Sequence, residues 1–174
     1  MGGGDCYNRE HLRAQSWTNE DATEKTDLHH VFPTDGWVNS KRSNYAFGEV
    51  SIPTYTSGNG GKLGPNTVSG YNGTVFEPID EYKVDIARAL MYVSVRYYGE
   101  DSNWSTSGMT DKSDLKAWAI AMLPDWHRND PVSDKERSGL LILTALGLGY
   151  ILRKRKILSP NVEDDVQRSL QTVY

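Results

Sequence analysis

From Glu77 to Gly99 the chain carries one unbroken helical signal. Pro78 suits a first turn, and Ile79, Tyr82, Ile86, Ala89, Leu90, Val93 and Tyr97 recur at helical spacing before Gly99 ends the run. A helix with a single apolar stripe is not stable in isolation and needs other elements to cover that stripe. Upstream the chain offers no second helix of this kind. Residues 51–74, SIPTYTSGNGGKLGPNTVSGYNGT, are rich in Gly, Ser, Asn and Pro and support only short strands and turns. Downstream, Ser113–Met122 sets Leu115, Trp118, Ala119 and Met122 on one face and is expected to stop at Pro124. Helices packing on short strands make an α+β fold.

Charge decides what this fold attracts. The 174 residues carry 19 Lys and Arg against 23 Asp and Glu, a formal net charge of −4. The overall field therefore draws in neither phosphates nor an acidic membrane surface, and nucleic-acid binding has to come from a local site. The one cysteine, Cys6, excludes an internal disulfide and a cysteine-based zinc site. No repeat is visible, and the length fits a single domain over residues 1–174. MGGGDCYNREH lacks the basic-then-apolar pattern of a leader, and the longest apolar run, Leu140–Leu152, falls short of the roughly 18–20 residues of a membrane span. A helix over Asp134–Leu152, capped by Ser133, is expected to pack in part on the long helix and to play no part in chemistry.

The chemistry-bearing residues cluster near the N-terminus. Asn8-Arg9-Glu10-His11 is followed by Asp27-Leu28-His29-His30-Val31-Phe32-Pro33, and that by Asp35-Gly36-Trp37-Val38-Asn39-Ser40-Lys41-Arg42-Ser43-Asn44. The order reads strand, loop, strand, helix, with strands near 7–12 and 27–33, an exposed polar loop over 12–26 and a helix over 36–44. On that helix Asn39, Arg42 and Ser43 share a face. A hard divalent cation takes oxygen ligands, which Glu10 and Asn39 supply. The His11 imidazole can take a proton from an attacking water, and Arg42 or a nearby lysine can meet developing phosphate charge. Consecutive strand residues point to opposite faces, so Glu10 and His11 reach one site only at a strand end or a bulge.

The bland readings stand beside these. A Glu-His dipeptide is more often a surface pair than a site, and an Asn in a turn-helix segment is more often a cap. Of His29 and His30 at most one faces the site, and His127, between Trp126 and Arg128, reads as a surface residue. A histidine zinc site on another substrate is a further alternative, without the HExxH spacing that would mark it.

The strings GDCYNREH, DLHHVFPTDGWVNSKRSNYAFGEV and GTVFEPIDEYKVDIARALMYVSVRY closely resemble the bacterial endonuclease I family, secreted or periplasmic nonspecific nucleases of the ββα-metal fold. The resemblance runs from about Gly4 to about Glu136; residues 137–174 diverge from the family's ending. It implies a ββα-metal nuclease motif with additional packing helices, Mg²⁺ on Glu10 and Asn39, and His11 as general base. His29, Arg42, Ser43 and Asn44 match family positions that shape the motif and the surroundings of the phosphate. Arg13 is the candidate for an arginine that some members contribute from the following loop. The activity so implied is Mg²⁺-dependent, nonspecific hydrolysis of DNA and RNA phosphodiesters with 5′-phosphate products, outside the cytoplasm, with nucleic acid held through its phosphates and no membrane or protein partner. The alternative is an inactive or truncated nuclease-like remnant that at most binds nucleic acid.

Overall fold

The computed structural model describes residues 6–129. The apolar segment Leu140–Leu152 and the divergent tail 137–174 lie outside the described residues. In chain order the elements are β1 (Tyr7–His11), α1 (Ala22–Lys25), β2 (Val31–Asp35), α2 (Gly36–Arg42), β3 (Ala46–Phe47), β4 (Tyr55–Thr56), β5 (Lys62–Pro65), β6 (Thr74–Glu77), α3 (Asp80–Arg96), β7 (Thr110–Asp111), β8 (Asp114–Leu115) and α4 (Ala117–Arg128). Helices and short sheets alternate, and the fold is α+β.

β1 and β2 pair antiparallel, with Glu10 opposite Phe32 and His11 opposite Val31. α2 follows β2 without a break because Asp35 caps it, accepting from the Trp37 and Val38 N–H groups at 3.0 Å each. The helix ends at Ser43, which takes φ 51°, a conformation uncommon for a residue with a side chain. Residues 51–74 supply turns and short strands as their composition dictates. A mixed sheet forms in the order β3-β6-β5-β4, β3 running parallel to β6. Gly64 in β5 is required: a Cβ there would meet the Ile52 carbonyl at 2.8 Å.

The long helix α3 buries Ile86, Ala89, Leu90 and Val93 of the expected stripe together with Val84, Ala87 and Met91, while Tyr82 of that stripe is exposed, because the helix is covered over most of its middle turns and open at its first. α4 packs beside it through Trp118, Ala119, Met122, Leu123 and Trp126, all buried in the main core with Leu90 and Met91. Lys83 ties α3 to the sheet and the preceding loop through Glu77 at 2.9 Å and Glu49 at 3.2 Å.

Four expectations are corrected. Residues 27–33 are not strand throughout: Leu28–His30 form a 3₁₀ turn, because Asp27 caps the chain by accepting the His29 N–H at 3.0 Å, and the strand begins at Val31. The loop 12–26 is not generally exposed; Leu12, Arg13, Ala14, Trp17, Thr18 and Glu24 are buried. The second helix neither starts at Ser113, since Asp114–Leu115 pair as β8, nor stops at Pro124, but runs Ala117–Arg128 with Pro124 inside it. A proline there forgoes one backbone hydrogen bond, about 3 kcal/mol in an exposed helix, and burial of Met122, Leu123, Pro124 and Trp126 around it offsets that cost. His127 is not a bare surface residue, since its Nδ1 accepts from Nε of the buried Arg88 at 3.2 Å.

Candidate active site

β1, α2 and the turn after β1 enclose an open cleft of about 430 Å³ lined by Arg9, Glu10, His11, Ala14, Gln15, Ser16, Asn39, Arg42, Ser43 and Asn44. Glu10, His11 and Asn39, chosen from the sequence for one site, thus meet in one place. His11 is the last residue of β1, and at a strand end the alternation that would send Glu10 and His11 to opposite faces no longer holds.

The orientation of His11 is set by the backbone. Its Nε2 lies 3.1 Å from the Lys25 carbonyl. A carbonyl only accepts, so Nε2 carries the proton and Nδ1 is left with its lone pair. The Gln15 amide nitrogen lies 3.2 Å from each ring nitrogen and, as a donor, meets the Nδ1 lone pair. With the ring proton on Nε2, Nδ1 is the nitrogen that acts as a base when water takes the place of the Gln15 amide.

Asn39 donates its amide Nδ2 to the Arg9 carbonyl at 3.3 Å. That contact joins α2 to β1 and leaves Oδ1 as the acceptor of the side chain. Glu10 is 7 % exposed and forms an ion pair with Arg42, Oε1 to Nη1, at 2.6 Å. The approach is off the hydrogen-bond direction, so the buried Oε1 has no hydrogen-bond partner. Burial pushes the Glu10 carboxyl above the usual carboxylate range, and the Arg42 charge pulls it partly back. Two hard oxygens, one on an incompletely satisfied carboxylate, suit a cation such as Mg²⁺. Among the described residues no three His, Cys, Asp or Glu side chains gather into a metal-binding cluster, so a histidine zinc site finds no ligand set there.

Arg42 does not stand where a phosphate clamp would. It is 3 % exposed, and its guanidinium donates to the His11 carbonyl at 3.1 Å and the Leu12 carbonyl at 2.7 Å while pairing with Glu10. Phe47 lies under it with the ring centroid 4.5 Å from Cζ. Arg42 is the buried post on which the end of β1 is hung, because its planar fork matches two carbonyls and a carboxylate at once.

Arg13 is also a core residue. It is fully buried, donates to the Ser113 carbonyl at 3.1 Å and to the Lys112 carbonyl, and stacks over Trp104 at 4.9 Å. His29 faces away from the cleft and pairs with Asp27, Nδ1 to Oδ1, at 2.8 Å. His30, not His29, is the histidine beside His11. Asn44 does line the cleft, with Nδ2 3.3 Å from the Ser16 hydroxyl. Sequence reasoning passed over Arg9 and Gln15, both on the cleft wall. Arg9 was legible as the exposed neighbour of the Glu-His pair, whereas Gln15 carries no local signal.

A family model described as Endonuclease I matches residues 1–139. The chain is 36% identical over 138 residues to an extracellular ribonuclease of Bacillus amyloliquefaciens, a match covering 75% of this chain and 44% of that protein. It is 35% identical over 139 residues to an extracellular ribonuclease of Bacillus subtilis (strain 168), with the same coverage, 75% and 44%. The chain thus spans less than half the length of these curated relatives. No solved structure matches it.

Proposed function

The chain belongs to the endonuclease I family, and from that premise we propose that it is a Mg²⁺-dependent, nonspecific endonuclease that hydrolyses phosphodiester bonds of RNA and DNA and leaves 5′-phosphate ends. The observation that carries this reading is the meeting of Glu10, His11 and Asn39 in one cleft, with the His11 ring proton held on Nε2. Glu10 and Asn39 would hold the cation through Oε and Oδ1. When bound, Mg²⁺ supplies positive charge to the phosphate undergoing attack.

The protein groups divide the remaining work. His11 Nδ1 accepts the proton of the water that attacks phosphorus. Arg9, exposed at the cleft edge, meets the phosphate oxygens. Asn44 and Gln15 offer neutral donors along the same wall. Arg42 holds Glu10 and the carbonyls of His11 and Leu12, so the base and the carboxylate keep one relative position. All of these contacts reach phosphate or water and none reads a base, which is why cleavage should be independent of sequence. The named relatives are extracellular ribonucleases, which supports RNA as a substrate and action outside the cell. Among the described residues no helix is long and apolar enough to cross a membrane.

The test is digestion of plasmid DNA and of single-stranded RNA with Mg²⁺, with chelator, and with His11→Ala. Cleavage of either polymer that needs Mg²⁺ and is lost in the variant is the expected result. A folded protein that cleaves neither would leave the inactive-remnant reading in place.

A further inference from the structure

The ring proton of His11 is fixed by the carbonyl of Lys25, 3.1 Å from Nε2, so the position of that carbonyl matters for the base. Lys25 closes α1, a helix of four residues, too short to hold its own shape. Its neighbour Glu24 is fully buried, as is His30, and buried carboxylates are rare without a purpose-built set of partners. Glu24 takes the Thr18 hydroxyl on Oε2 at 2.9 Å. Its main-chain carbonyl accepts from His30 Nε2 at 2.9 Å, and its Oε1 lies 3.0 Å from the same nitrogen.

Two consecutive carbonyls, those of Glu24 and Lys25, therefore each hold a histidine ring. The two rings meet edge to face, with centroids 5.8 Å apart and planes at 64°. His30 also works from the other side, because its own carbonyl accepts the N–H of Leu12, the residue after His11, at 3.0 Å. One buried pair thus ties down the carbonyl that orients the His11 ring, the ring's edge and the chain that follows it.

We propose that Glu24 and His30 are positioning residues for His11, an inference that rests on His11 being the base of the proposed nuclease. They touch neither phosphate nor cation; they keep the His11 ring in the tautomer and direction that proton transfer requires. Misplacing a base forfeits part of the roughly 10²–10⁴-fold that general-base catalysis contributes.

The experiment follows two signals in the full chain: cleavage of single-stranded RNA with Mg²⁺, split into kcat and KM, and the ring N–H resonance of His11 in ¹⁵N-labelled protein. In the parent, the His11 Nε2–H is expected as a resolved signal protected from exchange. His30→Leu and Glu24→Leu should each lower kcat about 10- to 100-fold with KM nearly unchanged, and broaden that signal through exchange. His30→Gln keeps an N–H donor for the Glu24 carbonyl. Glu24→Gln keeps an oxygen for His30 and can donate to the Thr18 oxygen, whose proton then turns to the Gln15 carbonyl at 3.1 Å. Both conservative variants should recover most of kcat. Leu123→Ala, in the buried face of α4, serves as the control that loses thermal stability and keeps kcat at temperatures where it is folded. Full kcat with an intact His11 N–H signal in folded leucine variants overturns the proposal. So does an equal fall of kcat in Leu123→Ala. If the leucine variants do not fold, Thr18→Val takes their place, with a smaller fall in kcat and the same loss of N–H protection expected, and an unchanged signal overturning the idea. If the parent cleaves nothing, the nuclease reading fails, while the N–H signal in the variants still decides whether Glu24 and His30 orient His11.

Discussion

At the scale of single residues, the N-terminal site separates groups that act from groups that hold. His11 is half-buried and lines the cleft, its Nε2 is committed to Lys25, and its Nδ1 faces the Gln15 amide at 3.2 Å. Replacing His11 by Ala is expected to lower kcat about 10²–10⁴-fold while Mg²⁺ binding, followed by titration calorimetry, stays close to that of the parent. Glu10→Ala and Asn39→Ala should instead weaken Mg²⁺ binding in the same titration. Arg42 belongs to the holding groups. Its charge is buried against Glu10 at 2.6 Å, and desolvation lowers its pKa against the pull of that carboxylate. Arg42→Met should cost about 3–5 kcal/mol in urea unfolding, the usual penalty for leaving one partner of a buried pair behind. A loss under 1 kcal/mol together with a large rise in KM would instead mark Arg42 as a phosphate contact.

At the scale of elements, the helix that carries Asn39 depends on one cap. α2 spans Gly36–Arg42, and Asp35 closes its N-terminus by accepting two N–H groups. Removing the side chain in Asp35→Ala is expected to cost about 1 kcal/mol of unfolding free energy. The same variant should lower Mg²⁺ affinity modestly, because fraying of the first turn loosens the helix whose Asn39 amide is anchored to the Arg9 carbonyl. A denaturation curve with unchanged midpoint would show that α2 is held by its burial against β1 and not by its cap. Periodicity placed α3 within a residue or two of its observed ends, since a 17-residue stripe repeats often enough to be read without any partner. Periodicity failed at α4, where Pro124 reads locally as a stop. The burial of Met122, Leu123 and Trp126 keeps the chain helical past it.

At the scale of the whole molecule, titration joins distant segments. Asp27 accepts the Tyr97 hydroxyl at 3.0 Å and pairs with His29, linking the 3₁₀ turn before β2 to the far end of α3. Burial pushes Asp27 up, but the His29 N–H and ring together with the Tyr92 and Tyr97 hydroxyls outweigh it, and its pKa falls below the ordinary value. A carboxylate held lower in the fold than in the unfolded chain contributes stability that is present above about pH 4 and is lost as pH falls through the folded value. Asp101 and Glu77 shift in the same direction, Asp101 through the Ser113 N–H and hydroxyl and Glu77 through Lys83, each against burial. Glu10 shifts the opposite way and recovers stability on acidification, so it softens the loss without removing it. The Tm is therefore expected to fall between pH 5 and pH 3, and Asp27→Asn should flatten that slope. On the alkaline side burial and the Asp27 charge push Tyr92 up to about 12. An acid raised in the fold contributes stability below its unfolded value that is lost as pH rises, so a second fall is expected between pH 10 and pH 12. A Tm flat across the acid range would remove Asp27 from this account.

The sequence by itself determined what is local or repeated: the α3 helix, the turn-rich strands of 51–74 and the order strand, loop, strand, helix; it offered Glu10, His11 and Asn39 as candidates by the chemistry of their side chains. It could also require that Glu10 and His11 sit at a strand end or a bulge, because the two-residue period of a regular strand sends them to opposite faces. What only the tertiary structure decided is which polar residues are buried. Arg13 and Arg42 carry the same side chain as the exposed Arg9, and Glu24 sits among Thr, Asn and Asp in a stretch that composition alone makes a surface loop. Their burial is set by partners that only the packed chain brings together: Trp104 and Ser113 for Arg13, and Phe47 with the His11 and Leu12 carbonyls for Arg42. For Glu24 the partners are His30 and Thr18. The free energy of a buried charge depends on whether those partners converge on it, and convergence is a property of the packed chain that no local pattern encodes.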